Sequence, residues 1–225
     1  MHTARLPLFS ALSGLLLAGA LALPGAAQAR GEQPGVFDYY ALSLSWSPDY
    51  CATRGKNDED QCATGRQLGF VLHGLWPQFV NGYPESCSRM PLPGKLKAEY
   101  APLYPSPRLI EHEWKKHGTC SGLTPAAYLA LSAKLKQGLA IPAPYQKPAQ
   151  PLRTTAAELQ QAFRAANPGL QDASLLPFCS GSGRFLREVR VCYRKDGVPQ
   201  SCGAAEIKRS QKSCGQPSFL LQSVR

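Results

Sequence analysis

Residues 70–78 read Phe-Val-Leu-His-Gly-Leu-Trp-Pro-Gln, and the pattern around them does most to indicate the fold and chemistry of this chain. The apolar run 69–72 predicts a short buried strand that ends at His73. Gly74 then lets the backbone turn, which presents the imidazole to a cleft rather than to the sheet interior. Trp76 offers a flat apolar face beside it. A single histidine among apolar neighbours is more often a core residue, so this segment needs a partner to indicate function.

The partner is residues 111–120, which read Glu-His-Glu-Trp-Lys-Lys-His-Gly-Thr-Cys. They overlap a predicted helix from Pro107 to about His117, with Ser106 as N-cap and Pro107 in the first turn. Each helical residue advances by roughly 100°. On that basis one face carries His112, Glu113, Lys116 and His117, whereas Lys115 points to solvent. Four ionisable groups of three kinds on one face favour a functional site over a solvated charge run.

Two imidazoles, a carboxylate and an ammonium group are suited to phosphoryl transfer. Histidine titrates near neutral pH, so one imidazole can take a proton from a hydroxyl while the other protonates the leaving oxygen. Lys116 could neutralise charge that develops on the phosphate. If the hydroxyl is a ribose 2′-OH, the product is a 2′,3′-cyclic phosphate. DNA, which lacks that hydroxyl, would then not be cleaved.

A zinc site is the main chemical alternative. Glu113 and His117 are four residues apart on the helix, and His73 could join them. The two histidines of the segment are five apart rather than the four of the zincin motif, and Lys116 would bring a cation into the first coordination shell. We therefore expect no metal and no cofactor, and a zinc hydrolase remains the less favoured reading.

The N-terminus predicts export. Residues 6–23 are almost entirely apolar, and Ala27-Gln28-Ala29 has the small-x-small pattern of a cleavage site. A membrane anchor is the alternative, because the apolar run approaches spanning length. We expect residues 1–29 to be a signal peptide and residues 30–225 a single domain, periplasmic or secreted, with no membrane attachment after cleavage. Loss of Arg5 would reduce the net charge from +10 to +9, which suits a polyanionic partner.

Eight cysteines in an exported chain predict disulfide bonds. No two are close enough for a C-x-x-C motif, which argues against a zinc ribbon or a thioredoxin-like site. Sequence spacing does not fix the connectivity. The pairs that we put forward are Cys51–Cys62, Cys192–Cys202, Cys87–Cys120 and Cys179–Cys214.

The remaining pattern predicts an α+β chain. Strands are expected at residues 40–46 and 185–193, and helices at 96–103, 107–117, 124–136 and 155–166, the last opened by the capping box Thr155 to Glu158. Loops are expected at 51–62, 81–94 and 141–151. With 225 residues, 44% of them hydrophobic, the chain can form a core and is not a disordered protein.

Residues 70–77 and 112–120 resemble the two active-site segments of the ribonuclease T2 family, in the same order along the chain. The resemblance extends to the strand before Trp46 and to the cysteine layout. It implies a central antiparallel sheet flanked by helices and stapled by disulfides. It also implies metal-independent endonucleolytic cleavage of RNA through a 2′,3′-cyclic phosphate.

The family assigns roles that the spacing alone cannot. By resemblance, His117 would be the base on the 2′-OH and His73 the acid at the 5′-oxygen. Glu113 and Lys116 would stabilise the pentacoordinate phosphorus, His112 would hold the phosphate, and Trp76 would pack against the ribose or the base.

The sequence also gives expectations about base specificity and binding partners. Some family members carry an acidic residue two positions after the tryptophan; here Gln78 stands there, and we expect low base specificity. We expect a monomer that prefers single-stranded RNA, with Tyr83 or Trp46 available to stack on bases. A binding or cytotoxic protein on the same fold is the alternative, although recognition alone needs no acid–base pair.

Overall fold

The computed structural model describes residues 1, 2 and 33–224. The predicted signal peptide, apart from its first two residues, lies outside the described residues. Within them, no helix is both long and apolar enough to cross a membrane.

The described chain is built on a six-stranded sheet. Its strands run in the order β2, β1, β5, β6, β3, and β4 pairs with β5. All of the pairings are antiparallel except that of β5 with β6, which is parallel. The strands are β1 (Tyr39–Trp46), β2 (Phe70–Gln78), β3 (Leu152–Thr154), β4 (Leu175–Ser180), β5 (Phe185–Tyr193) and β6 (Phe219–Leu221).

Seven α-helices accompany the sheet in the described part of the chain. They are α1 (Ser47–Thr53), α2 (Glu59–Cys62), α3 (Gly94–Tyr100), α4 (Pro107–Lys116), α5 (Pro125–Gly138), α6 (Ala156–Ala166) and α7 (Ala204–Ser213). The predicted α+β class with an antiparallel sheet is confirmed. The predicted starts of α4, α5 and α6 are also confirmed, with side-chain caps from Ser106, Thr124 and Thr155.

Strand β1 separates two different environments. Leu42 and Leu44 point into the main core, where they join Leu72 and Leu75 of β2 and Ile110 of α4. On the other face of β1, Ala41, Ser43 and Ser45 are small or polar, whereas Tyr39 joins a second, smaller apolar cluster. This alternation gives the sheet an apolar face toward the core and a face on which polar groups can gather.

Two parts of the sequence prediction are wrong. Of residues 51–62 only 54–58 form a loop, because α1 extends to Thr53 and α2 covers Glu59–Cys62, where the Asp58 side chain caps α2 by accepting from Gln61 N. The second strand does not end at His73 but continues to Gln78. Gly74 therefore serves a different purpose from a turn.

Four disulfide bonds staple the fold, and they join the pairs put forward from the sequence. They are Cys51–Cys62, Cys87–Cys120, Cys179–Cys214 and Cys192–Cys202. The Cys87–Cys120 bond ties the irregular segment after β2 to the residues that follow α4. It therefore closes the region in which both sequence motifs lie.

Candidate active site

His73 lies at a β-bulge in edge strand β2. Ser43 of β1 pairs with Gly74 and Leu44 pairs with Leu72, so His73 is the extra residue without a partner across the strand. A bulge re-aims one side chain without moving its neighbours out of register. The imidazole is one-third exposed, and its Nδ1 lies 3.2 Å from Ser45 Oγ. The bulge, rather than a strand end, presents this histidine.

Gly74 makes room for a carboxylate from α4. A Cβ atom at this position would stand 1.9 Å from Glu113 Oε2 and 2.6 Å from Trp76 Nε1. Any larger residue would therefore displace the Glu113 side chain. The glycine is required by close approach between β2 and α4, not by chain reversal.

Helix α4 divides its side chains much as the helical periodicity predicts. Glu113 and His117 are buried, at 1% and 6% exposure, and Lys116 is half-buried beside them. His112 is exposed but borders the same cavity. Lys115 is exposed and does not line it.

Trp76 contacts both imidazoles. Its ring centroid is 5.0 Å from that of His73 and 5.2 Å from that of His117. The two imidazole centroids are therefore no farther apart than the sum of these distances. Trp76 also donates from Nε1 to Glu113 Oε2 at 2.7 Å, and Glu113 Oε1 lies 3.6 Å from His73 Nε2. Four side chains from two distant segments thus form one contact network.

Burial sets the protonation of the two deeply placed groups. It raises the pKa of Glu113 to about 7, although His73 and the Trp76 hydrogen bond act in the opposite direction. Burial, together with the charges of Lys116 and other nearby cations, lowers the pKa of His117 to about 3. At neutral pH the His117 imidazole is neutral, and Glu113 is divided between its two forms.

The cationic side of the site is formed by Lys116 and its neighbours. Lys116 Nζ lies 3.4 Å from Glu85 Oε2 and 5.7 Å from the ring centroid of Tyr83. The Tyr83 ring is half-exposed and 6.1 Å from that of His117. Partial burial and the nearby charge of Lys116 lower the pKa of His112. Tyr83, His112, Lys116 and His117 line the cavity from the side of α4 and the segment after β2.

All six predicted catalytic and binding residues line one cavity of about 450 Å³. They are His73, Trp76, His112, Glu113, Lys116 and His117. A second cavity, of about 810 Å³, lies next to it and is lined in part by Ser45, Tyr50, Arg54 and Ser106. His73 and His112 border both cavities. The imidazole of His73 therefore stands where the two meet.

Sequence analysis missed a charged cluster on β5. Glu188 Oε2 lies 3.7 Å from His73 Nδ1, and Arg190 bonds to the other oxygen of the same carboxylate. The Arg190 guanidinium also lies over the rings of Trp76 and Phe178, at 4.7 and 4.0 Å from their centroids. Two charged residues within an alternating strand look like a solvent face. Their pairing across the sheet is visible only in three dimensions.

The residues expected to contact bases differ in their exposure. Trp46 is fully buried in the core and donates from Nε1 to the Gln222 carbonyl, so it is not available to stack on a base. Gln78 lines the cavity but is nearly buried, and its amide donates to the Pro77 carbonyl at 3.0 Å. Tyr83 keeps the exposed position at the cavity that the stacking prediction requires.

Over the described residues, no group of three or more His, Cys, Asp or Glu side chains is arranged to hold an ion. His73, Glu113 and His117, the set considered for zinc, instead surround Trp76 and have Lys116 beside them.

Comparison with known proteins gives consistent matches along the chain. The model of the Ribonuclease T2 family matches residues 37–202. A ribonuclease from Aeromonas hydrophila is 46% identical over 223 residues, which cover 95% of this chain and 97% of that protein. Ribonuclease I of Escherichia coli is 24% identical over 246 residues, which cover 87% of this chain and 90% of that protein.

Solved structures share the fold at low sequence identity. Trichomaglin, described as an S-like ribonuclease, has a TM-score of 0.65 and 18% identity over 84% of this chain and 99% of its own. A variant of RNase MC1 in complex with 5′-UMP has a TM-score of 0.59 and 22% identity, over 72% of this chain and 91% of its own. At these identities the likeness establishes the architecture alone.

Proposed function

This chain belongs to the ribonuclease T2 family and is an endoribonuclease, and we propose that it cleaves RNA without a metal ion by transfer of the phosphodiester to the ribose 2′-oxygen. The observation that carries this proposal is the pair of imidazoles, His73 and His117, that both contact Trp76 and line one cavity, with His117 neutral. A neutral base and a second histidine beside one cavity match the needs of a proton-in, proton-out reaction.

In the proposed first step, His117 takes the proton from the 2′-OH. Burial keeps this imidazole unprotonated throughout the neutral range, with a pKa of about 3, and a general base has to start in that form. The 2′-oxygen attacks phosphorus, and the bond from phosphorus to the 5′-oxygen breaks. His73 donates a proton to that oxygen. The products are a 2′,3′-cyclic phosphate on one fragment and a 5′-hydroxyl on the other.

Charge that builds up on the phosphate would be met from α4. Lys116 supplies a fixed positive charge at the cavity, and the protonated fraction of Glu113 can donate a hydrogen bond to a non-bridging oxygen. We assign phosphate binding to His112, which borders both cavities, and ribose or base packing to Trp76. These assignments make His73, Glu113, Lys116 and His117 the catalytic set.

Substrate preference forms part of the same proposal. The titles of two RNase MC1 structures name bound 5′-UMP and 5′-GMP, and we propose that nucleotides of RNA likewise occupy the cavity of this chain. We propose low base specificity because Gln78 is nearly buried and its amide donates to the Pro77 carbonyl, so this position offers the cavity no carboxylate with which to select a base. The open, half-exposed Tyr83 favours unpaired bases. DNA, without a 2′-OH, would bind without being cleaved.

The test is the chemistry of the ends left on a defined oligonucleotide in EDTA. We expect a 2′,3′-cyclic phosphate and a 5′-hydroxyl from RNA, and no product from DNA or from a 2′-O-methyl RNA of the same sequence. Cleavage only after addition of a metal ion, or a free 3′-hydroxyl on the product, would contradict the mechanism. The His73→Ala, His117→Ala double variant is the control for contaminating nuclease.

We also propose that residues 1–29 direct export and that the mature protein is a monomer in the periplasm or outside the cell. The four disulfide bonds support this location, because such bonds persist in oxidising compartments. N-terminal sequencing of the exported protein should begin at Arg30. Light scattering of the purified protein should give the mass of one chain.

A further inference from the structure

Glu188 is a buried carboxylate that the proposed mechanism does not use. It lies on β5 and is 3% exposed. Its neighbour across the sheet is Ser45 of β1, and His73 follows on β2, the next strand. The middle strand has only serines at positions 43 and 45 on this face, so the glutamate reaches past β1 toward the imidazole.

The two oxygens of this carboxylate have different partners. Oε1 accepts from Arg190, at 3.0 Å from Nε and 2.5 Å from Nη2, and also lies 3.4 Å from Arg187. Oε2 accepts from Ser43 Oγ at 3.4 Å and lies 3.7 Å from His73 Nδ1. The arginine side fixes the carboxylate, which leaves Oε2 aimed at the histidine.

Glu188 and Glu113 stand on opposite sides of the His73 ring but differ in charge state. Burial alone would raise the pKa of Glu188, but Arg190, the His73 contact and Arg187 together hold it well below its usual range. The pKa of Glu113 is raised by burial to about 7. Of these two carboxylates, Glu188 is therefore the one that stays ionised across the neutral range.

We propose that Glu188 is a positioning residue for His73: the negative charge of Oε2, 3.7 Å from Nδ1, attracts that edge of the imidazole and so turns Nε2 toward the cavity. Carboxylates act in this way on histidines elsewhere, where the second partner fixes both the ring orientation and the tautomer. Ser45 Oγ, at 3.2 Å from the same nitrogen, completes the seat of the ring. The inference rests on the proposed function, since it assumes that Nε2 delivers the proton to the leaving oxygen.

A purely structural role for Glu188 makes a different prediction. Arg190 has a second buried partner in Glu206, which also pairs with Arg209 and has no contact with His73 among the described interactions. If Glu188 only neutralises Arg190, removal of either carboxylate charge should have the same effect. Glu206→Gln is therefore the matched control.

The experiment compares two substrates that differ only in the leaving group. In a dinucleoside monophosphate the leaving group is the 5′-oxygen of the second nucleoside, which needs a proton. In the 3′-(4-nitrophenyl phosphate) of the same nucleoside the leaving group is 4-nitrophenolate, which is stable without one. We expect Glu188→Gln to lower kcat for the dinucleotide by about tenfold or more, a fraction of the general-acid contribution, with KM little changed. Glu188→Gln should cleave the aryl ester at close to the wild-type rate. Any effect of Glu206→Gln should be the same on both substrates.

Equal losses on the two substrates, or equal behaviour of the Glu188 and Glu206 variants, would overturn the inference. Should Glu188→Gln fail to fold, Glu188→Asp keeps the charge but withdraws it by one methylene, and it should show the same selective loss in smaller measure. His73→Ala is the reference for complete loss of the acid. If the wild-type protein makes no cyclic phosphate, the proposed function fails. If His73→Ala loses activity mainly on the dinucleotide but Glu188→Gln loses it equally on both substrates, only the positioning role is contradicted.

Discussion

Trp76 and Glu113 are joined by a 2.7 Å hydrogen bond from the indole Nε1 to Oε2, and this bond links strand β2 to helix α4 inside the cavity. Both partners are nearly buried. The tryptophan thereby does more than offer a flat surface, because it supports a carboxyl group that burial pushes toward its neutral form. The bond makes Trp76 a determinant of both stability and charge.

We expect Trp76→Phe to destabilise the fold by about 1–3 kcal/mol, the usual cost of a buried polar group that loses its partner. The loss should be larger at pH 8 than at pH 5, because the bond favours the ionised form of Glu113, whose pKa is about 7. Urea unfolding at the two pH values measures this. Trp114→Phe is the control: its indole donates to the Met90 carbonyl at 2.8 Å, and so its cost should not depend on pH.

Gly74→Ala should damage the site while leaving the core composition unchanged. The new methyl group would collide with Glu113 Oε2 and force the side chain or strand to move. We expect a loss of about 1–3 kcal/mol in unfolding free energy, as for other overpacked sites, together with a large fall in kcat. Gly94→Ala is the comparison, since nothing lies within 4 Å of a Cβ atom there; an equal effect of both substitutions would refute the close-approach argument.

His117 should make the protein sensitive to acid. Its pKa is about 3 in the fold and 6.5 in a model peptide, so below pH 6.5 the unfolded chain takes up a proton that the folded chain does not. The stability that it contributes is complete above pH 6.5 and is lost as the pH falls toward 3, by up to about 1.4 kcal/mol per pH unit.

We therefore expect His117→Gln to lose less stability than the wild type between pH 6.5 and pH 4, measured by chemical unfolding. Glu113 acts in the opposite sense, because its pKa is raised from 4.5 to about 7 in the fold. The stability that it contributes is complete below pH 4.5 and is lost as the pH rises toward 7. Glu113→Gln should accordingly gain relative stability with pH over that window. Parallel curves for the wild type and both variants would contradict the assigned protonation states.

Lys116 should influence both the rate and its dependence on pH. With a neutral His117, kcat/KM should not decline through protonation of the base until well below pH 6. Lys116→Met should lower kcat by roughly 10²-fold, as for loss of one charge-stabilising group. It should also move the acidic limb of the kcat/KM profile to higher pH, because the Lys116 charge lowers the pKa of His117. The move should be only part of the full pKa shift, since burial is the larger cause. Lys115→Met, an exposed neighbour outside the cavity, should leave both features unchanged.

The three histidines should be separable by kinetics. His73→Ala and His117→Ala should each lower kcat by about 10² to 10⁴-fold, the usual range for an acid or base. His112→Ala should act mainly on KM, since the exposed His112 is proposed to hold phosphate. Steady-state rates on one dinucleotide provide the measurement, and an unchanged kcat in either of the first two variants would contradict its role.

Local signals were enough for much of the fold. Ser106 with Pro107, and Thr155 with Glu158, mark helix starts through side-chain capping that depends only on nearby residues. Alternation alone placed β5. Strands β3 and β6 have three residues each and are defined mainly by pairing across a long stretch of chain, so no local pattern announces them. Helix α7 begins at Ala204 after the N-cap residue Gly203, which has no side chain to cap the helix, so the usual signal is missing.

The candidate site was predictable in its residues but not in its construction. The periodicity of α4 grouped His112, Glu113, Lys116 and His117 correctly. The bulge at His73 depends on the pairing of β2 with β1, and the seat made by Ser45 and Glu188 depends on three strands. These relations are tertiary, so a linear pattern could suggest which side chains meet without showing what holds them.

The unpaired position of His73 has a practical consequence. Because the pairs on either side, Leu44 with Leu72 and Ser43 with Gly74, do not depend on it, the imidazole can be removed without disturbing the ladder. We expect His73→Ala to yield a correctly assembled protein that cleaves RNA only very slowly. Such a protein is suited to trapping an intact oligonucleotide in a co-crystal, which would reveal the direction in which the strand crosses from one opening to the other.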